Sequence, residues 1–286
     1  MIGGGINHQW NCFMDHISKP QHHREGFSLI ELAIVLTILG IIAGGVLTGR
    51  HLIRSAQLRT IITEKDRLQS AVNTFEEKFD ALPGDFAGAV ALWGVMPTGA
   101  CQIGYGTGAR DATGTQTCNG DGNGDIWFPH SVGNNAEGVL FWQHLSNAGL
   151  WEGRYSGVFS GWGAAGSFYF SKFGESTYVI PHHYRVSYPG GIIPRSDLIS
   201  FEGEYGHTMV YKSNDNTYNV LLPEEAYNID RKMDDGLPGI GMVVTRERDG
   251  ALCNTLPASS STAAELYTYN RAHDQRACEI EFKNMW

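Results

Sequence analysis

From Phe27 to Gly49 the chain reads FSLIELAIVLTILGIIAGGVLTG, twenty-three residues in which Glu31 is the one charge. At 1.5 Å per residue, a helix of that length spans about 35 Å, more than the ~30 Å hydrocarbon core of a bilayer. The run therefore predicts a membrane helix. The helical pattern continues past Gly49. Leu52, Ile53, Ala56, Ile61, Leu68, Val72, Phe75 and Phe79 recur at steps of mostly three and four. Arg54, Arg59, Glu64, Lys65, Asp66, Arg67, Glu76 and Glu77 largely fill the remaining positions. One helix is expected from Phe27 to about Asp80. Its first half suits lipid, and its second half suits packing one stripe on a head domain. Pro83 and Gly84 then end it.

After Pro83 the pattern changes. Asp85 is placed to N-cap a short helix, 86–93. Residues 97–125 are rich in Gly, Thr and Asn with no apolar period and read as a long loop. Residues 136–150 have helical spacing, with Leu140, Phe141, Leu145 and Ala148 on one face. Short aromatic and β-branched runs predict strands at 166–173, 176–180, 207–212, 218–222 and 242–246. Between the last two, Pro223-Glu224-Glu225 opens a helix with acids at its positive end, and Arg231 and Lys232 near the other end. The fold class is α+β: a long N-terminal helix, then a loop-rich globular head with an antiparallel sheet.

Glu31 needs a reason. A carboxylate within a bilayer costs on the order of 3 kcal/mol. Either it snorkels to the nearby interface or a partner charge offsets it. Gly26-Phe27-Ser28-Leu29-Ile30-Glu31-Leu32 resembles the type IV prepilin cleavage and methylation signature: a small residue before the cut, Phe after it, Glu fifth in the mature chain, then an unbroken apolar run. The long helix followed by an α/β head with a C-terminal disulfide loop is similar to pilins and type II secretion pseudopilins. The resemblance implies that a prepilin peptidase cuts between Gly26 and Phe27 and methylates the new amino terminus. It implies that Glu31 neutralises a neighbouring subunit's terminal amine. The expected divisions are a leader 1–26, a helix 27–80 with 27–49 as transmembrane and assembly segment, and an exported head 81–286. Two departures stand out. Glu25 sits where the family more often has Lys or Arg. A 26-residue leader is long, and Met14 offers an alternative start. Lys19 and Arg24 precede the apolar run while Arg50, Arg54 and Arg59 follow it, so the positive-inside rule does not orient it. The cleavage motif and the distal cysteines do. Gly40, Gly44, Gly45 and Gly49 give two GxxxG spacings, which suit close helix–helix approach.

Five cysteines are present, and leader removal takes Cys12. The even remainder in an exported chain favours disulfides. Three connectivities exist, and the sequence-local pairs Cys101–Cys118 and Cys253–Cys278 are the ones expected; the alternative is buried free thiols. A formal net charge of −9 is a poor start for phosphate-backbone binding, so nucleic acid is not an expected partner.

Asp121, Asn123 and Asp125 place oxygen side chains at alternate positions, with Gly between them, and are candidate calcium ligands. Ile126 stands where an EF-hand-type loop has Gly, and Glu137 is available as a later ligand. The competing reading is a solvated Asx turn. Asp234 and Asp235, with Asp230, read as a turn before a cation site. His182, His183 and His207 lack a third ligand at zinc spacing. No nucleophile elbow, zinc-protease helix, P-loop or dinucleotide fingerprint occurs, and an enzyme is not expected. The expected role is a structural subunit of a type IV pilus or pseudopilus-like filament. Its expected partners are prepilin peptidase, sister pilin subunits, an inner-membrane assembly platform and, before assembly, lipid. Its expected place is the bacterial inner membrane with the head in the periplasm, then the filament. A minor tip subunit acting as a binding module is the alternative, and a membrane-anchored exported enzyme a weaker one.

Overall fold

The computed structural model describes residues 27–96, 115–126, 137–159, 161, 164–174, 177–186, 192–195, 198–201, 203–214, 219–248, 252–255 and 267–286. The chain divides into two compact units, Met1–His51 and Leu52–Trp286. The expected leader 1–26 lies outside the described residues.

Helix α1 spans Leu29–Phe79. No proline or helix-stopping turn interrupts these residues. The helix stops where Asp80 turns left-handed at φ 51°, its N–H bonding the Glu76 carbonyl at 2.8 Å. In the first unit, the apolar side chains of α1 are exposed without exception, Leu29 at 87% and Ile41 at 71%. By length and composition this helix is able to cross a membrane.

In the second unit, Ile61, Leu68, Ala71, Val72 and Phe75 of α1 enter the main core. There they meet helix α3 (Glu137–Asn147) and a mixed-length antiparallel sheet. A short helix α2 (Ala89–Trp93) follows α1 in the chain. The strands are β1 (Tyr169–Phe170), β2 (Thr177–Val186), β3 (Ile192–Arg195), β4 (Leu198–Phe201), β5 (Gly203–Ser213), β6 (Val243–Arg248) and β9 (Glu279–Phe282). They form one seven-stranded sheet in the order β1-β2-β5-β9-β6-β4-β3. β7 (Asn254–Thr255) and β8 (Thr268–Tyr269) make a separate pair, and helix α4 (Pro223–Met233) precedes β6. The architecture is α+β.

β9 lies at the sheet's centre. Its register sets Phe282 opposite Met209 and Val243, and Ile280 opposite Tyr211, all on the core face. Glu279 and Glu281 take the other face and are also buried. There Lys212 Nζ lies 3.4 Å from Glu279 and Arg246 Nε 3.8 Å from Glu281. Unpaired, such buried acids would be strongly destabilising.

The polar side chains of α1 also hold the helix to the head. Glu64 sits on the buried stripe between Ile61 and Leu68, 3% exposed. Its carboxyl accepts from Tyr169 Oη (2.8 Å), Ser171 Oγ (2.6 Å), Lys172 N (2.8 Å) and Tyr211 Oη (3.3 Å). Arg54 makes a bidentate pair with Glu225 at 2.5 and 2.7 Å and lies over the Phe173 ring at 4.7 Å. Glu225 also accepts from Leu222 N at 3.0 Å, closing the first turn of α4.

Four local expectations change, the first being that the strand expected at 166–173 is limited to Tyr169–Phe170. The short helix begins at Ala89, not Phe86, and Gly88 rather than Asp85 precedes it. Residues 219–222 form only a bridge, Leu221 with Cys278, because their N–H groups converge on one carbonyl there. α3 is buried all round from Glu137 to Leu145, since Phe141 packs in the main core while Leu140 joins Met96, Cys118 and Val158 in a second cluster.

Cys253 and Cys278 are joined as a disulfide across 25 residues. Closing a loop of that size restricts the unfolded chain by about 3 kcal/mol. Cys278→Ser is therefore expected to lower unfolding stability by about 3 kcal/mol, read from denaturant midpoints without reductant. Cys118 is also disulfide-bonded, and its expected partner Cys101 lies outside the described residues.

Candidate functional site

The start of α1 is built by a short sequence rule. Ser28 is the N-cap, and Ile30 N–H donates to its Oγ at 3.3 Å. Glu31, three residues on, reaches back to accept Ser28 N–H at 2.8 Å. This is the reciprocal arm of a capping box, and it puts a carboxyl at the positive end of the helix dipole. Glu31 therefore has a polar partner within its own chain. Phe27, immediately before the cap, is 90% exposed. Gly26 lies outside the described residues. Gly40, Gly44, Gly45 and Gly49 have open space where a Cβ would stand, leaving the backbone accessible to a neighbouring helix.

The loop holding Asp121, Asn123 and Asp125 is tied to Asp85. Asp85 is its hub: its carboxylate accepts from Gly122 N (2.7 Å), Asn123 N (3.1 Å) and Gly124 N (2.8 Å). Asp121 accepts from Asn123 N and Nδ2, and Asn123 Oδ1 from Asp125 N, as in Asx turns. Carboxylate oxygens of Asp85, Asp121 and Glu137 lie within 4.8 Å of one another. Burial raises the Asp85 carboxyl above its ordinary 3.8, against the three N–H groups that lower it. Gly84 and Gly120 allow this approach: a Cβ at Gly84 would meet the Glu137 carbonyl at 2.5 Å, and one at Gly120 the Asp85 backbone at 2.3 Å.

His144 ties the same turn to α3. Gly84 N–H donates to its Nδ1 at 3.0 Å, so Nε2 carries the proton toward Thr117 Oγ1 and Cys118 O, each at 3.1 Å. Complete burial lowers this imidazole from 6.5 to about 4. Between those values the unfolded chain binds the proton and the folded one does not. The stability this neutral histidine contributes is present above 6.5 and is lost as pH falls toward 4. The expected loss is about 3 kcal/mol. Asp230, raised to about 7, gains stability as pH falls across that window and opposes the histidine, so the unfolding midpoint of the native protein should fall relative to that of His144→Gln.

Asp230, Asp234 and Asp235 also bring oxygens within 4.8 Å of one another. Each is committed to the turn after α4. Asp230 accepts from Gly236 N and Tyr269 Oη, Asp234 from Met242 N and Val243 N, and Asp235 from Leu237 N. Burial pushes Asp230 up to about 7.

Two polar positions escaped the sequence reading. Glu64 was grouped with the solvated charges, although its place between Ile61 and Leu68 is a step of the buried stripe. The Ser28-x-x-Glu31 spacing is a capping box legible from sequence alone.

Compared with known proteins, residues 21–47 match the family described as the prokaryotic N-terminal methylation motif. No curated protein and no solved structure matches the chain. The matched segment ends inside the exposed apolar part of α1 and includes Phe27, the capping box and three of the four open glycines. The chain thus carries the prepilin-type signature of type IV pilin-like and pseudopilin-like proteins at the head of its long apolar helix.

Proposed function

We propose that this chain is a structural subunit of a type IV pilus or pseudopilus-like filament. Prepilin peptidase removes residues 1–26, methylates Phe27, and leaves α1 as a membrane anchor before assembly and a packing spine after it. The observation that carries this reading is the apolar surface from Phe27 to Leu47, exposed on every side, which begins at the motif. A soluble protein does not leave so large a surface uncovered. Lipid covers it first, and sister helices then replace lipid, approaching closely at the glycines. Glu31 exchanges its bond to Ser28 N–H for a neighbour's terminal amine, two opposite charges meeting in low dielectric. The head, 81–286, is exported, where the Cys253–Cys278 disulfide is stable.

Fractionation tests the reading. The chain should appear, shortened, in membranes and in the material sheared from the cell surface or released from the periplasm. Full-length chain recovered from the cytosol would contradict it.

A further inference from the structure

The last turn of α1 breaks a local electrostatic rule. A helix C-terminus carries partial negative charge and favours Lys or Arg nearby. Here Glu76, Glu77 and Asp80 crowd that end, with Lys78 as the one cation of the turn. Glu76 and Asp80, both exposed, have no ion-pair partner among the described residues. Acids placed against their own helix dipole are destabilising in the isolated protein, which points to a compensating charge from elsewhere.

The same two acids line a cleft of about 560 Å³, with the buried Asp85. Phe79, Phe86 and Trp286 add aromatic wall. Trp286 is fixed there by stacking on Phe141 at 5.4 Å and on His207 at 5.9 Å. Among the described residues, no Lys or Arg lines the cleft. Lys78, outside the lining, already holds its ammonium 5.1 Å from the Phe79 ring centroid, so that ring attracts a cation in this setting. The cleft is of the size that takes small ligands or a single long side chain.

Acids with aromatic rings select among cations. A bare metal ion needs several oxygens closing on one point, and neither Glu76 nor Asp80 belongs to a converging group of oxygens. An ammonium or guanidinium on an apolar stem instead satisfies both features: its charge meets the carboxylates and its stem meets the rings.

We propose that this cleft binds an organic cation, an ammonium or guanidinium group carried on a short apolar stem. The full chain in detergent micelles would be titrated with butylguanidinium and butylammonium, and with butylurea as the neutral isostere. The two cations should bind saturably, about tenfold tighter than butylurea, and more weakly at high ionic strength. Glu76→Gln combined with Asp80→Asn should lose about tenfold in cation affinity while the unfolding midpoint rises, since the two acids no longer oppose the helix dipole. Both residues are exposed, and Asn accepts the left-handed backbone of position 80. A second pair of probes separates sources of the same chemistry. Tighter binding of capped arginine amide assigns the site to a partner protein's side chain, and tighter binding of spermidine to a free polyamine. Absence of saturable cation binding, equal binding of butylurea, or unchanged affinity in the double variant would overturn the proposal.

Discussion

Glu31→Ala is expected to give a protein that still loses its leader but forms no filaments. The proposed cut, Gly26–Phe27, lies before the helix begins, so processing should not need the carboxyl. Proposed assembly should, because a terminal amine moved into low dielectric without an opposite charge is strongly unfavourable. The capping box complicates a single substitution. Ala also removes the acceptor of Ser28 N–H, and frays the first turn by about 1 kcal/mol. Glu31→Gln separates the two effects, since its amide oxygen still accepts from Ser28 N–H but carries no charge. If the charge is what assembly needs, Gln should fail as completely as Ala. Filaments from the Gln variant but not from Ala would assign Glu31 to helix capping alone. Sheared-filament yield against membrane-held processed protein is the readout.

The second large effect is expected at Glu64. Removing its side chain leaves two tyrosine hydroxyls, Ser171 Oγ and Lys172 N–H without this shared acceptor inside the second unit. Each stranded buried donor costs about 1–3 kcal/mol. Partial relaxation still leaves Glu64→Ala about 4 kcal/mol or more less stable, a large fraction of an ordinary domain's margin. Glu64→Gln keeps the shape and one carbonyl oxygen, and should cost less than half as much. Denaturant unfolding of the full chain in detergent gives both numbers. Tyr211 Oη keeps the Ile61 carbonyl at 3.3 Å, and a change under about 1 kcal/mol in the Ala variant would mean that the other three donors also find acceptors.

Local rules made the frame of this molecule legible. The α1 helix was expected from Phe27 to Asp80 and runs Leu29–Phe79, because an uninterrupted 3.6-residue period and a Pro-Gly stop depend on nothing distant. The start of α4 followed from Pro223 and two acids for the same reason. Elements set by distant partners were harder to read. β9, Glu-Ile-Glu-Phe, was not among the expected strands, yet it is central, and Lys212 and Arg246 meet its acids on the second face. β3 and β4 gave no strand pattern of their own; they pair with each other, and β4 pairs with β6. Asp85 looked like a helix cap. Three N–H groups contributed by residues 122–124, almost forty positions later, claimed its carboxylate instead. Within residues 121–125, Asp121 and Asn123 each accept the N–H two positions on, as Asx turns do. Position along a period reports burial, and it does not report which polar partners burial brings.

The most direct measurement is the mass of the N-terminal peptide of the protein taken from sheared filaments or, for a pseudopilus, from the periplasmic fraction. The account predicts a peptide that begins at Phe27 and carries one methyl group on its amine. A peptide retaining Gly26 and the residues before it would contradict the account.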